Sequence, residues 1–341
     1  MKVARLYDYL DVRIEEDPQP EIGAREALVR TRACGICSGD VVPWYIRKKA
    51  PLVFGHEPVG EIVEVGSDVR SFRTGARVFV HHHAPCLTCR ACMRGEFVQC
   101  PMWRASKIDP GGMAEYFRVP EVNLSGDTLL LPDHVSDADG TLVEPTACVV
   151  KSLCRAGDVR GASILIIGLG VMGQLHVVLA RHLGARRILA ADLVAERCRR
   201  ASELGADVVI DASQGNLAQV VADATDGHGA EIVIAGPATT EAIDLALACA
   251  AKGGTVVQFM GTPPETFLRL STNDIYFREI RLIPSYSCGP PETRAALRYI
   301  SDGVVSARQV VTHRYPLARA DEAYRVAAQD KSAIKVLVEL S

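Results

Sequence analysis

Hydrophobic and polar positions follow two different rhythms along this chain. Over the first third, short apolar runs at Ala27 to Thr31, Val59 to Val65 and Ala76 to Val80 are separated by Gly, Pro and Asp, with few helical signals. That texture predicts an antiparallel or barrel-like β domain. From about Ala147 the rhythm changes. Apolar runs of about five residues are each followed by ten to fifteen residues of helical period: SILIIG then VMGQLHVVLARHL, RILAAD then ERCRRASEL, DVVID then NLAQVVADAT, EIVIAG then EAIDLALACA, and finally GTVVQFMG. Strands alternating with helices at this spacing predict βαβ units and a parallel sheet. Beyond Ser285 a helix-like ETRAALRYISDG and a strand-like IKVLVEL complete the pattern.

Composition narrows the function. A chain of 341 residues with 48% hydrophobic content is expected to hold two domains. The opening MKVARLYDYLDVRIEEDPQP mixes charges where a secretory signal needs an unbroken apolar stretch, and no run reaches the ~18 apolar residues of a membrane span. A cytoplasmic protein is expected. A net charge of -3 with acids and bases interspersed gives no basic face for nucleic acid, so a small-molecule partner is expected. Eleven cysteines in a reducing compartment suggest metal or redox chemistry before disulfides.

In SILIIGLGVMG a strand runs into Gly168, Gly170 and Gly173, and Val171 and Met172 open the following helix. The first glycine permits a tight turn, the second lets backbone approach a pyrophosphate, and the third lets helix pack on strand. Asp192 ends the next strand, where an acid accepts hydrogen bonds from ribose hydroxyls and repels a 2′-phosphate, favouring NAD over NADP. Arg197 lies a turn further on, placed to pack on adenine, although Arg199 and Arg200 leave some room for a phosphate.

Two metal centres are expected. Cys86, Cys89 and Cys92 are spaced by two residues and Cys100 follows after seven more. Four thiolates complete a closed tetrahedral shell, which argues for a structural zinc rather than a two-cysteine redox site or an iron–sulfur cluster. The adjoining His81, His82 and His83 follow the strand RVFV, whose alternation is expected to send neighbours to opposite faces, with at most one or two pointing inward and each solvated or packed. Separately, Cys37 in ACGICSGD, His56 with Glu57 in FGHEPVG, and Glu144 in LVEPTA offer a thiolate, an imidazole and carboxylates with a position left open, the pattern of a catalytic zinc. Cys34 is expected in the core.

These residues, with DPGGMAEYFRVP, resemble the zinc-dependent medium-chain dehydrogenases of the alcohol dehydrogenase superfamily, and within it the polyol branch. The resemblance covers nearly the whole chain. It implies a GroES-like β-rich catalytic domain at 1–146 carrying the zinc lobe at about 84–102, a Rossmann doubly wound domain at 147–290, and a return to the catalytic domain at 291–341. It further implies catalytic zinc on Cys37 and His56, with Glu57 or Glu144 completing the protein ligands directly or through water. Asp40 takes the place of the acid that orients the ligating histidine. Two zinc ions and NAD per subunit, hydride transfer from a secondary alcohol, and a homodimer or homotetramer follow as expectations.

One position departs from the pattern. The hydroxyl residue that begins the family's proton relay is Gly39 here, and the hydroxyl has moved to Ser38. The relay then falls to Ser38, to water with Glu57, or to a second substrate hydroxyl. Alternative readings are an NADPH-preferring carbonyl reductase and a non-catalytic NAD-binding protein on the same scaffold. Arg47, Lys48 and Lys49, beside Trp44, would meet an anionic substrate or form a solvated loop, and the stretch 285–294 is expected to line the cofactor and substrate cleft, with no single residue of it assigned.

Overall fold

The structure, a computed structural model, describes residues 1–340. It divides into two compact units, one of residues 148–287 and one of Met1–Ala147 with the described residues from Cys288 onward. Within the first of these, six strands form one parallel sheet in the order Val208–Asp211, Arg187–Asp192, Ser163–Ile167, Ala230–Ala235, Ala250–Gln258 and Arg281–Pro284. Numbered within the unit this is 3-2-1-4-5-6, the doubly wound order, whose switch point lies beside Ser163–Ile167. All five residues of SILII are buried, as a strand covered on both faces requires. The helices Val171–His182, Ala195–Glu203, Leu217–Ala224 and Thr240–Cys249 follow the predicted runs.

The other unit is built on β-structure. Its larger sheet runs Val311–Pro316, Lys335–Glu339, Ala27–Ile36, Glu57–Val65, Arg77–Val80 and Thr128–Leu130, with Tyr116–Val119 paired to the first half of Ala27–Ile36. Ala27–Ile36 is antiparallel to Glu57–Val65 on one side and to Lys335–Glu339 on the other. A smaller sheet joins Asp11–Glu16, Lys2–Asp8 and Leu52–Val53. Cys34, Ile36, Phe54, Met113, Tyr324 and Val336 share one core cluster, so Cys34 is a packing residue, while Val29, Ile62, Val78 and Phe117 belong to another.

Glu144 stands in the first turn of the helix Val143–Ala156. Pro145 fits there because early helical N–H groups have no partner in the helix. The strand Arg77–Val80 stops before the three histidines, so alternation does not govern them. Among the described residues no helix is long and apolar enough to cross a membrane.

Candidate active site and metal centres

Strand register brings the first group of donors together. Gly35 is opposite Glu57 in the antiparallel pair, so Cys37, just beyond one strand end, and His56, just before the other strand, fall side by side. The chain turns at Cys37 into the short 3-10 helix Ser38–Val41, and the Cys37 Sγ accepts a hydrogen bond from the Gly39 N–H at 3.3 Å. Donor atoms of Cys37, His56 and Glu57 all lie within 4.8 Å of one another. Behind His56, Nδ1 is 3.3 Å from Asp40 Oδ1, which leaves Nε2 for another partner. The Asp40 carbonyl accepts from the buried Tyr324 hydroxyl at 2.6 Å, tying this turn to the core.

The carboxylate of Glu57 is fully buried. Its Oε2 is paired with Lys335 Nζ, which also donates to the Ile36 carbonyl, while Oε1 makes no hydrogen bond. Burial raises the pKa of Glu57, opposed by the Lys335 charge. Burial likewise raises Cys37. His56 is raised well above the ordinary histidine value because the charges of Asp40 and Cys37 outweigh its burial. A thiol, an imidazole with an acid behind it and an orphaned carboxylate oxygen form a donor set suited to zinc.

Glu144 is grouped elsewhere, within 4.8 Å of His81 and Cys288, although its charge still reaches Cys37 and Glu57. Ser38 is exposed, and Gly39 leaves ordinary contact distance, 3.7 Å, between a built Cβ and Cys37 Sγ. Sequence reasoning missed Lys335, whose signal was a lone cation inside the apolar run IKVLVEL, and the partners of His81.

The lobe gathers its four cysteines around the small core of Val98 and Trp103. Sγ atoms of Cys89 and Cys92 are 3.6 Å apart and those of Cys86 and Cys100 3.5 Å, near the ~3.8 Å set by tetrahedral Zn–S bonds. All are free thiols. Cys86 accepts hydrogen bonds from the Thr88 hydroxyl and the Cys89 N–H, which bring its pKa down to about 6, whereas burial pushes Cys92 up to about 12. The three histidines are packed rather than split. His82 lies 4.8 Å from the His56 ring and 4.1 Å from His83, and the His83 ring lies tilted at 47° to Trp103 with 4.4 Å between centroids.

In the doubly wound unit, Gly168 has φ +88, which side chains rarely adopt, and a Cβ on Gly173 would meet the Gly168 carbonyl at 2.1 Å. Around Gly170 there is open space, and Val171 and Met172 begin the helix whose first N–H groups lack helical partners. Asp192 is buried and accepts from the backbone N–H of Leu169 at 2.6 Å and of Val194 at 2.9 Å. Arg197 is 4.0 Å from Asp192, whereas Arg199 and Arg200 are paired with Glu196, and Arg199 also with Glu203.

Trp44 sits in the short helix Pro43–Arg47. Arg47, Lys48 and Lys49 are exposed, with Arg47 paired to Asp8 and Lys49 lying 3.9 Å over the Tyr45 ring.

Comparison with known proteins agrees with this geometry. Residues 23–133 match the alcohol dehydrogenase GroES-like domain family, and residues 171–302 match the zinc-binding dehydrogenase family. The chain is 30% identical to a sorbitol dehydrogenase of Bombyx mori, across 99% of this chain and 98% of that protein. It is 32% identical to an L-threonine 3-dehydrogenase of Symbiobacterium thermophilum, across 95% of this chain and 93% of that one. A solved structure described as a zinc-binding dehydrogenase of Sinorhizobium meliloti, bound to NADP, is 29% identical with a TM-score of 0.89, covering 99% of this chain and 98% of its own. With both family matches in chain order and relatives aligned almost end to end, the chain belongs to the zinc-dependent medium-chain dehydrogenases of the alcohol dehydrogenase superfamily, in its polyol branch.

Proposed function

We propose that this alcohol dehydrogenase oxidises an unphosphorylated polyol at a secondary hydroxyl, with NAD as acceptor and two zinc ions per subunit. The observation that carries the reading is the convergence of Cys37, His56 and Glu57 with Asp40 behind the imidazole. Zinc and nicotinamide, when bound, supply Lewis acidity toward the substrate oxygen and an acceptor for its hydride.

The residues divide the remaining work. Cys37, His56 and Glu57 would hold the catalytic ion, and the four lobe cysteines the structural one. Asp40 fixes the His56 tautomer by accepting a hydrogen bond from Nδ1–H, which turns Nε2 toward the ion site. Lys335 holds one oxygen of Glu57 and leaves the other available. Glu144 is the alternative carboxylate, and its grouping with His81 and Cys288 favours Glu57. Ser38, the hydroxyl residue next to Gly39, would begin proton transfer, with water and Glu57 or a second substrate hydroxyl as the other carriers.

NAD is favoured because an acid stands at Asp192 while Arg199 and Arg200 are tied to glutamates. The NADP-bound relative supports the second reading, an NADPH-preferring carbonyl reductase on the same site. A polyol is favoured by the sorbitol dehydrogenase relative, and an amino alcohol is the competing class by the L-threonine 3-dehydrogenase relative. The pairing of Arg47 and Lys49 argues against a phosphate there.

The test is absorbance at the NADH band when zinc-replete protein meets NAD or NADP with polyols, sugar phosphates and amino alcohols. A signal with NAD and polyols that is lost on chelation is expected. No turnover across the panel, with cofactor binding shown, would favour the non-catalytic reading.

A further inference from the structure

A second set of donors lies in the interior of the β-rich unit, apart from the Cys37 group and the lobe. His81 follows the strand Arg77–Val80, Glu144 stands in the first turn of Val143–Ala156, and Cys288 lies just before the helix Pro290–Ser301. His81 and Cys288 are fully buried and Glu144 is 5% exposed. Although 207 residues separate them in the chain, Cys288 Sγ is 3.8 Å from His81 Nε2. The ligating atoms of His81, Glu144 and Cys288 all lie within 4.8 Å of one another.

The imidazole is held in one orientation. His81 Nδ1 is 2.7 Å from Asp127 Oδ2, and the other Asp127 oxygen accepts from the Thr293 hydroxyl. With the proton on Nδ1, the Nε2 lone pair faces Cys288. A carboxylate–imidazole pair that aims a nitrogen at further donors is how proteins orient metal-binding histidines. A tetrahedral zinc with bonds of about 2.0 Å to nitrogen and 2.3 Å to sulfur sets those two atoms about 3.5 Å apart, against 3.8 Å here.

We propose that His81, Glu144 and Cys288 form a third metal site, a three-donor one for a zinc-like divalent cation, with Asp127 and Thr293 as its positioning residues. The site rests on the reading that Glu57, and not Glu144, completes the Cys37 group.

The test uses crystals of the full chain prepared zinc-replete, with anomalous scattering measured at the zinc edge. A peak about 2.0 Å from His81 Nε2 and about 2.3 Å from Cys288 Sγ is expected. Cys288→Ser is expected to lose that peak and one equivalent of zinc while keeping those at Cys37 and the lobe. Absence of the peak in the wild-type map overturns the proposal, even if the variant fails to fold. A peak here without one at Cys37 supports this site and counts against the catalytic reading.

Discussion

At Gly35 a side chain is excluded by chemistry two strands wide. A Cβ there would fall 1.9 Å from Glu57 Oε2 and 2.8 Å from Lys335 Cε, because the buried ion pair fills the space above that glycine. Removing one partner of such a pair leaves a charge without compensation, which typically costs about 3–5 kcal/mol. Lys335→Met is therefore expected to destabilise the β-rich unit by that order, read as a lowered denaturant midpoint, and to weaken zinc retention by freeing Glu57 to turn away. Ser38→Ala is expected to leave zinc content intact and slow alcohol oxidation by about a hundredfold, with an altered pH profile, as loss of a proton-transfer group does. Unchanged turnover and pH profile would assign the proton to water. Cys37, His56 and Glu57 were legible as donors because their types and neighbours carry the chemistry. Lys335 and Cys288 were not, since only long-range pairing tells what faces them.

The alternating strands and helices of 163–258 were readable because a strand buried on both faces is continuously apolar and its crossover helix is amphipathic. The hairpin Lys2–Asp8 with Asp11–Glu16 was not, as its second strand is studded with charged residues and largely exposed. The helix Ala320–Gln329 escaped notice although it buries Ala320, Ala323 and Tyr324 at helical spacing. The cysteine lobe is an element with too little core of its own, so its metal contributes directly to folding. Cys92→Ser is expected to lose one zinc equivalent and lower the thermal midpoint, measured by metal analysis alongside calorimetry. Full zinc content at an unchanged midpoint would remove the structural role.

Across the whole molecule, acid sensitivity has a source in the doubly wound unit. His176 is buried, with Nδ1 on the Met172 carbonyl and Nε2 on the Ser152 hydroxyl, and burial lowers its pKa to about 4. As pH falls below the ordinary 6.5, the unfolded chain takes up this proton before the folded one, so stability drops between about 6.5 and 4 and is unaffected above that window. The full effect is about 3 kcal/mol. His176→Gln is expected to lose less stability than wild type between pH 7.5 and 4.5, measured by urea unfolding at both.

The β-rich unit is interrupted by the other, and its central strand Ala27–Ile36 waits for Lys335–Glu339 to flank it. On the ribosome, where domains mature as they emerge, a nascent chain extended only as far as residue 287 holds every strand of the parallel sheet. It still lacks the cation for Glu57 and the thiol of Cys288. The inserted unit can thus mature while its host is unfinished, and until Lys335 is synthesised the half-made host is the species that chaperones and proteases would meet.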